Sequence, residues 1–298
     1  MDPLLLCLLG SLTAWISASW GPGHHLEFAE RVLRRRRELL PAEVAKLLGA
    51  ERDAYFYGNI AADIINFKGF GGSYNHCHRW GIIDEMRELA ESPRQAAFIL
   101  GYLSHLAADT IAHNHFVPYH LARYARTKGL GHLYWEMNAD RFVNEARWNI
   151  IPRLKDLGNL SEFDQLVNRT VPKKALPMRT NKMIFNHVLL VSERDAYRKG
   201  IARLHPIGSV KLDKGFLAKF QRAAVARIRL ALHPSGLKKL ADVDPNGKDA
   251  QKQALALRRT IVHRWAPGSM RQEHSAELAA PFLEGMESPP PVQATQAN

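Results

Sequence analysis

Apolar residues recur three and four apart along most of the chain, the spacing of helices with one buried face. The pattern runs over Leu26–Leu40, Pro41–Leu48, Trp80–Glu91, Arg94–His113, Tyr119–Thr127 and His132–Trp148. Beyond residue 170 it resumes in Asn181–Leu204, Leu212–Leu232 and Ala250–Trp265, punctuated by Pro206, Pro234 and Pro245. No sustained period-two alternation flanks an Asn-Gly or Asp-Gly turn, so strands are not expected. The fold class this predicts is all-α, a multi-helix bundle. Ser92-Pro93 reads as an N-cap followed by a first-turn proline, opening the helix over Arg94–His113. Residues 67–73 (FKGFGGS) read as a glycine-rich connection that lacks the Lys-Ser/Thr of a phosphate-binding loop.

The chain starts differently. Leu4–Ala18 is an apolar run of 15 residues, shorter than the roughly 20 needed to span a membrane. It ends in Ser17-Ala18-Ser19, small residues where a signal peptidase reads them, although its beginning carries Asp2 and no Lys or Arg. Residues 1–19 are therefore expected to be a signal peptide, the protein to be exported, and Trp20 to become the first residue. Residues 20–170 then form one unit and 171–284 a basic helical part packed on it. Residues 285–298, rich in Pro and Gln, read as a disordered tail.

A chain of 298 residues can bury a core without disulfides. Only Cys7 and Cys77 are present, and removal of the leader would leave Cys77 without a partner. The formal charge is +12, yet residues 20–170 are nearly balanced at 19 basic against 18 acidic, so the excess lies beyond them. A basic surface there suits peripheral contact with an anionic membrane or with nucleic acid, or is simply solvated.

Histidine changes the picture most. Nine of the 14 lie between His24 and His132, and eight of these nine fall, with Asp and Glu, in five short pieces. The pieces are Trp20-Gly-Pro-Gly-His24-His25, Asn59-Ile-Ala-Ala-Asp63, Asn75-His76-Cys77-His78-Arg79-Trp80, the run from His105 through Asp109 and His113 to His115, and His132-Leu-Tyr-Trp-Glu136. His105, Asp109 and His113 stand four apart, so one helix face presents imidazole, carboxylate and imidazole in a row. Around them Ile99, Leu100, Tyr102, Leu103, Leu106 and Ile111 read as core. Ionisable groups on so apolar a helix are costly unless paired or bound to metal. His132 and Glu136 repeat the spacing. Imidazole with carboxylate suits zinc. Each piece alone is more often a surface or capping pair; five within about 115 residues of chain are poorly explained by chance.

On these motifs the chain resembles the zinc-dependent phospholipase C family, which shares an all-helical fold with single-strand-specific tri-zinc nucleases. The resemblance covers roughly residues 20–140. It implies two to three Zn2+ ions. One would take the Trp20 amino terminus, His25 and Asp109. A second would take Asp63, His78, His105 and again Asp109. A third would take His132, Glu136 and a histidine after Asp109. His113 has the helical spacing and His115 the spacing of the secreted phospholipases and nucleases. His24 and His76 stand beside His25 and His78 as alternatives. Bound zinc would supply an acidified water and a cationic clamp on phosphoryl oxygens, and the resemblance implies that Asp63 is the general base. The expected activity is zinc-dependent phosphodiester hydrolysis on phospholipids. The alternatives are a single-strand nuclease on the same fold, or a non-catalytic, zinc-stabilised, membrane-binding protein.

Overall fold

The computed structural model describes residues 20–68, 70–72, 76–124, 135–136, 138–157, 159–192 and 212–287. Residues 1–19, expected above to be a signal peptide, His132 and nearly all of residues 285–298 lie outside the described residues. Among the described residues the architecture is all-α with no strand. The helices are α1 Pro22–Arg34, α2 Arg36–Leu39, α3 Ala42–Ala50, α4 Arg52–Ala61, α5 Gly81–Glu88 and α6 Pro93–Ile111. A π-helical turn, Ala112–Phe116, carries α6 into α7 Val117–Tyr124. There follow α8 Glu145–Trp148, α9 Ile150–Asp156, α10 Ser161–Thr170, α11 Met178–Ser192, α12 Lys214–Ala231, α13 Gly236–Leu240, α14 Lys248–Arg264 and α15 Ser269–Ala279. None of them is long and apolar enough to cross a membrane.

Helix α6 is the axis of the molecule. Ser92 opens it as expected, its Oγ accepting the Gln95 N–H at 3.1 Å. From Ala97 to Ile111 every residue but Leu100 is buried, because neighbours cover all its sides: α4, α5 and α12 pack against it. The closest approach is to α4. A Cβ on Gly58 would lie 2.1 Å from the Phe98 carbonyl, and one on Gly101 would lie 2.2 Å from the Tyr55 carbonyl. The two backbones touch there because neither glycine carries a side chain. That contact brings Asn59, at the end of α4, against His105 on α6.

Helix α1 crosses α4 and α12, while α14 and α15 cover α7. The basic second half thus packs onto the first. Buried polar contacts join them: Asn66 N–H and Nδ2 both meet Asn181 Oδ1, at 2.9 and 3.0 Å. Trp80 Nε1 donates to the Val243 carbonyl at 2.8 Å.

Some expected elements differ. The run His132–Trp148 is not one helix: a turn at 141–144 interrupts it, and Asn144 Oδ1 accepts the Ala146 N–H at 2.9 Å to start α8. A side chain that offers the backbone an alternative partner ends a helix even where the apolar period continues. Leu26–Leu40 divides into α1 and α2 at the arginine run Arg34–Arg37, which has nothing apolar to bury at the junction. The periodicity does not predict α4 at all. Ala54 to Ala61 is buried throughout, so it has no polar face to set a period. Helices α9, α10, α13 and α15 have too few apolar repeats to stand out.

Candidate metal centre

Asp109 lies fully buried on α6, with imidazoles converging on it from three elements. His105, one turn earlier, brings Nε2 to 3.1 Å from Oδ2. His78, on the approach to α5, brings Nε2 to 3.2 Å from the same oxygen. His25 on α1 brings Nε2 to 3.3 Å from Oδ1. His78 and His105 Nε2 are 3.0 Å apart, and Asp63 Oδ1 stands 3.5 Å from His78 and 3.9 Å from His105. Asp109 therefore faces two groups of donors, His25 through one oxygen and His78, His105 and Asp63 through the other.

Asp109 and His25 set this cluster apart from an ordinary hydrogen-bonded network. Among the described residues, neither oxygen of Asp109 and neither ring nitrogen of His25 has a hydrogen-bond partner. A buried carboxylate left so is costly. Zinc bonds of about 2.0–2.1 Å in a tetrahedron place donor atoms about 3.3–3.4 Å apart, close to the spacings here. Asp109 and His25 thus face common centres rather than hydrogen-bond partners, while His78 and His105 also meet through Nε2, and the residues fit zinc. His25, His105 and Asp109 form one group able to hold an ion and Asp63, His78 and His105 another.

The surrounding chain orients these donors. His105 Nδ1 meets the Asn59 carbonyl at 2.8 Å. A carbonyl only accepts, so Nδ1 carries the proton and the Nε2 lone pair faces the cluster. His78 Nδ1 lies 3.3 Å from Cys77 Sγ, the Cys77 carbonyl accepts from Tyr102 Oη at 2.9 Å, and the His78 carbonyl accepts from Asn246 Nδ2 at 2.9 Å. The rings of His25 and His105 stack at 3.8 Å. Burial first, then the neighbouring His105, lowers the pKa of His25, against the pull of Asp109. For His105 burial works the other way from the outcome: the Asp109 and Asp63 carboxylates outweigh it and raise its pKa. Burial likewise opposes ionisation of Asp109, yet the imidazoles around it, His105 foremost, hold its pKa well below the carboxylate range.

The paired histidines separate. His24 turns away to Asp140, Nδ1 to Oδ1 at 2.6 Å, while His25 faces Asp109. His76 accepts the His78 N–H on Nδ1 at 3.0 Å, leaving His78 nearest Asp109 and His105. His115 Nδ1 meets the Phe282 carbonyl at 2.9 Å. His113 Nε2 stays 3.9 Å from Asp109 Oδ2, because the wider π turn begins between them, and its Nδ1 lies 3.1 Å from the Gln251 side-chain amide on α14. Glu136 is buried; its expected companion His132 is outside the described residues. Trp20 is fully buried, its ring stacked on Phe116 at 5.0 Å.

One residue at the centre has no place in the sequence reading. Lys68, from the segment read as a mere connection, is buried and pairs through Nζ with Asp63 Oδ1, 3.4 Å from His78 Nε2. Burial opposes its charge, but Asp63 raises its pKa. In turn burial would raise the Asp63 pKa, and Lys68, then His105 and His78, bring it to about 2. The sole signal was a lysine between two phenylalanines. Asp140, Asn246 and Gln251 are polar residues at ordinary spacing and gave no signal. Asp63, 18 % exposed where His25, His78, His105 and Asp109 are at most 1 %, is the most exposed member of the cluster.

Residues 24–175 match the family described as zinc dependent phospholipase C, half of the chain. No curated protein and no solved structure matches it.

Proposed function

The chain belongs to the zinc-dependent phospholipase C family, and from that premise we propose that it hydrolyses phospholipids at the phosphodiester bond, with Asp109 as the carboxylate shared between two zinc sites. The observation that carries this reading is the convergence of His25, His78 and His105 on an Asp109 with no hydrogen-bond partner among the described residues.

His25 and Asp109 would hold one ion, completed by the amino terminus of Trp20 after removal of residues 1–19. Asp63, His78, His105 and Asp109 would hold a second. His113, Glu136 and His132 would serve a third. Zinc, when bound, supplies Lewis acidity toward phosphoryl oxygens and acidifies a water. Asn59 fixes the tautomer of His105, so its ring stays a donor of electrons and not of a proton. Asp63, the most exposed member of the cluster, would take the proton of the attacking water. Water adds to phosphorus, the bond to the glycerol oxygen breaks, and that proton passes on to the departing alcohol. Lys68 balances the charge of Asp63 and keeps it oriented. As a ligand or as a base, Asp63 has to share its oxygen with Lys68, a feature that spacing of ligands alone would not contain.

The test sets zinc-loaded protein against phosphatidylcholine and against single-stranded DNA. Release of phosphorylated head group, with DNA left intact, supports the lipase reading. Cleavage of DNA alone would transfer the site to nucleic acid, and inertness toward both would remove the hydrolase reading.

A further inference from the structure

The segment after Asp63 is anchored on both sides of one residue. Asn66 is buried and held by Asn181 through two hydrogen bonds, at 2.9 and 3.0 Å. Lys68 is buried against Asp63 and His78. Phe67 between them is forced outward, 54 % exposed, with φ of 55°. It is the only non-glycine residue with positive φ among the described residues. A bulky side chain in that region is strained and persists only where its surroundings over-determine it. Phe70 is also exposed, at 61 %, and its N–H donates to the Phe67 carbonyl at 2.9 Å. That bond closes one tight turn that carries both exposed rings.

The two rings flank Lys68, which pairs with Asp63, so they stand on the segment that reaches the candidate metal centre. Asn246, bonded to the His78 carbonyl, brings the start of α14 to that histidine. Two residues on, Lys248 is exposed, and so is Lys252, one helical turn further along the same face. Exposed rings and exposed ammonium groups on two segments that both reach His78 match the boundary of a phospholipid bilayer, where rings enter the acyl region and lysines meet phosphates. Strained backbone positions cluster at active sites, ligand clamps and switch regions.

We propose that Phe67 and Phe70 are an interfacial anchor that enters a phospholipid bilayer and sets Asp63 and Lys68 at the lipid surface. This deepens the lipase reading and rests on it for its substrate class.

Phe67→Asn keeps a residue that tolerates the positive φ, and Phe70→Ser removes the second ring. The variant carrying both is sedimented with phosphatidylcholine vesicles, and hydrolysis is measured on the same vesicles and on a dispersed short-chain phosphatidylcholine. Losing each buried ring is expected to weaken vesicle binding about tenfold. Vesicle hydrolysis falls in parallel, and hydrolysis of the dispersed substrate stays within about twofold. Phe70→Leu, which keeps an apolar side chain, retains most of the binding. Equal sedimentation of the unaltered protein and the double variant overturns the anchor, as does a parallel loss of dispersed-substrate hydrolysis with binding intact. Binding is read without turnover, so vesicle binding that depends on the rings in a protein that cleaves no lipid keeps the anchor and sinks the lipase reading.

Discussion

The indole Nε1 of Trp20 donates to the carbonyl of Ala108 at 3.1 Å, across 88 residues of chain. Ala108 immediately precedes Asp109, so this bond ties the residue proposed as the mature amino terminus to the carboxylate proposed to bridge two ions. An α-amino group has an ordinary pKa near 8 and binds metal only when deprotonated and free. A chain beginning at Trp20 is therefore expected to hold more zinc than the chain beginning at Met1, by about one ion per molecule. Elemental mass spectrometry of the two purified forms measures this, and equal zinc content would falsify the role of Trp20.

Asp109→Asn keeps the shape of the side chain but removes the charge facing His25, His78 and His105. Both proposed sites share this carboxylate, so zinc content should drop by more than one ion per chain. His105→Ala should lower it by a smaller amount, because only Nε2 of one ring is lost. Unchanged zinc in folded Asp109→Asn protein would show that the cluster is not the metal centre.

Lys68→Met removes the ammonium that competes for Asp63 Oδ1. Charges this close commonly shift an ionisation by 1–3 pKa units, so zinc affinity at the Asp63 site is expected to rise about tenfold or more. Titration calorimetry reads the gain. Asp63→Asn should keep most of the zinc and lose most of the turnover; full activity in that variant removes Asp63 from the role of base.

Gly101→Ala puts a methyl 2.2 Å from the Tyr55 carbonyl. The helices α4 and α6 have to separate, at a cost of about 1–3 kcal/mol or more for overpacking. The melting temperature should fall by several degrees, and His105 should lose its contact with Asn59. A thermal melt matching that of the unaltered protein would contradict the touching backbones.

His120 is buried among Phe116, Trp135 and Phe220. Burial, with a smaller push from Arg123, brings its pKa to about 3 despite its bond to the Phe116 carbonyl. The unfolded chain titrates near 6.5, so between these values it binds a proton that the folded chain refuses. The stability is full above about pH 6.5 and falls as pH drops toward 3, by about 1.4 kcal/mol per pH unit for one such group. His120→Phe should flatten that slope in urea melts between about pH 6 and 4. An unaltered slope would mean that other groups, such as His76 and His78, carry the whole effect.

The all-α class and the pairing of His105 with Asp109 were legible in the sequence because both depend on local spacing. Residues four apart share a helix face whatever surrounds them, which is why His105 and Asp109 were placed together before any fold was known. The choice between neighbours was not legible. His24 and His25 are equivalent as sequence; the structure turns one to Asp140 and the other to Asp109, since successive residues on α1 point about 100° apart and only the packing of α1 on α4 says which faces inward. Helix α4 was invisible because burial on every side erases the polar period that reveals a helix.

Composition and periodicity by themselves determined a helical protein with an imidazole–carboxylate cluster in its first half. Tertiary structure alone decided that Lys68 enters that cluster, that Asn59 and Asn246 orient its histidines, and that Phe67 and Phe70 stay outside. Those contacts join residues as far as 168 positions apart, and the forces behind them, desolvation and charge pairing in a buried space, exist only once the helices have closed around it.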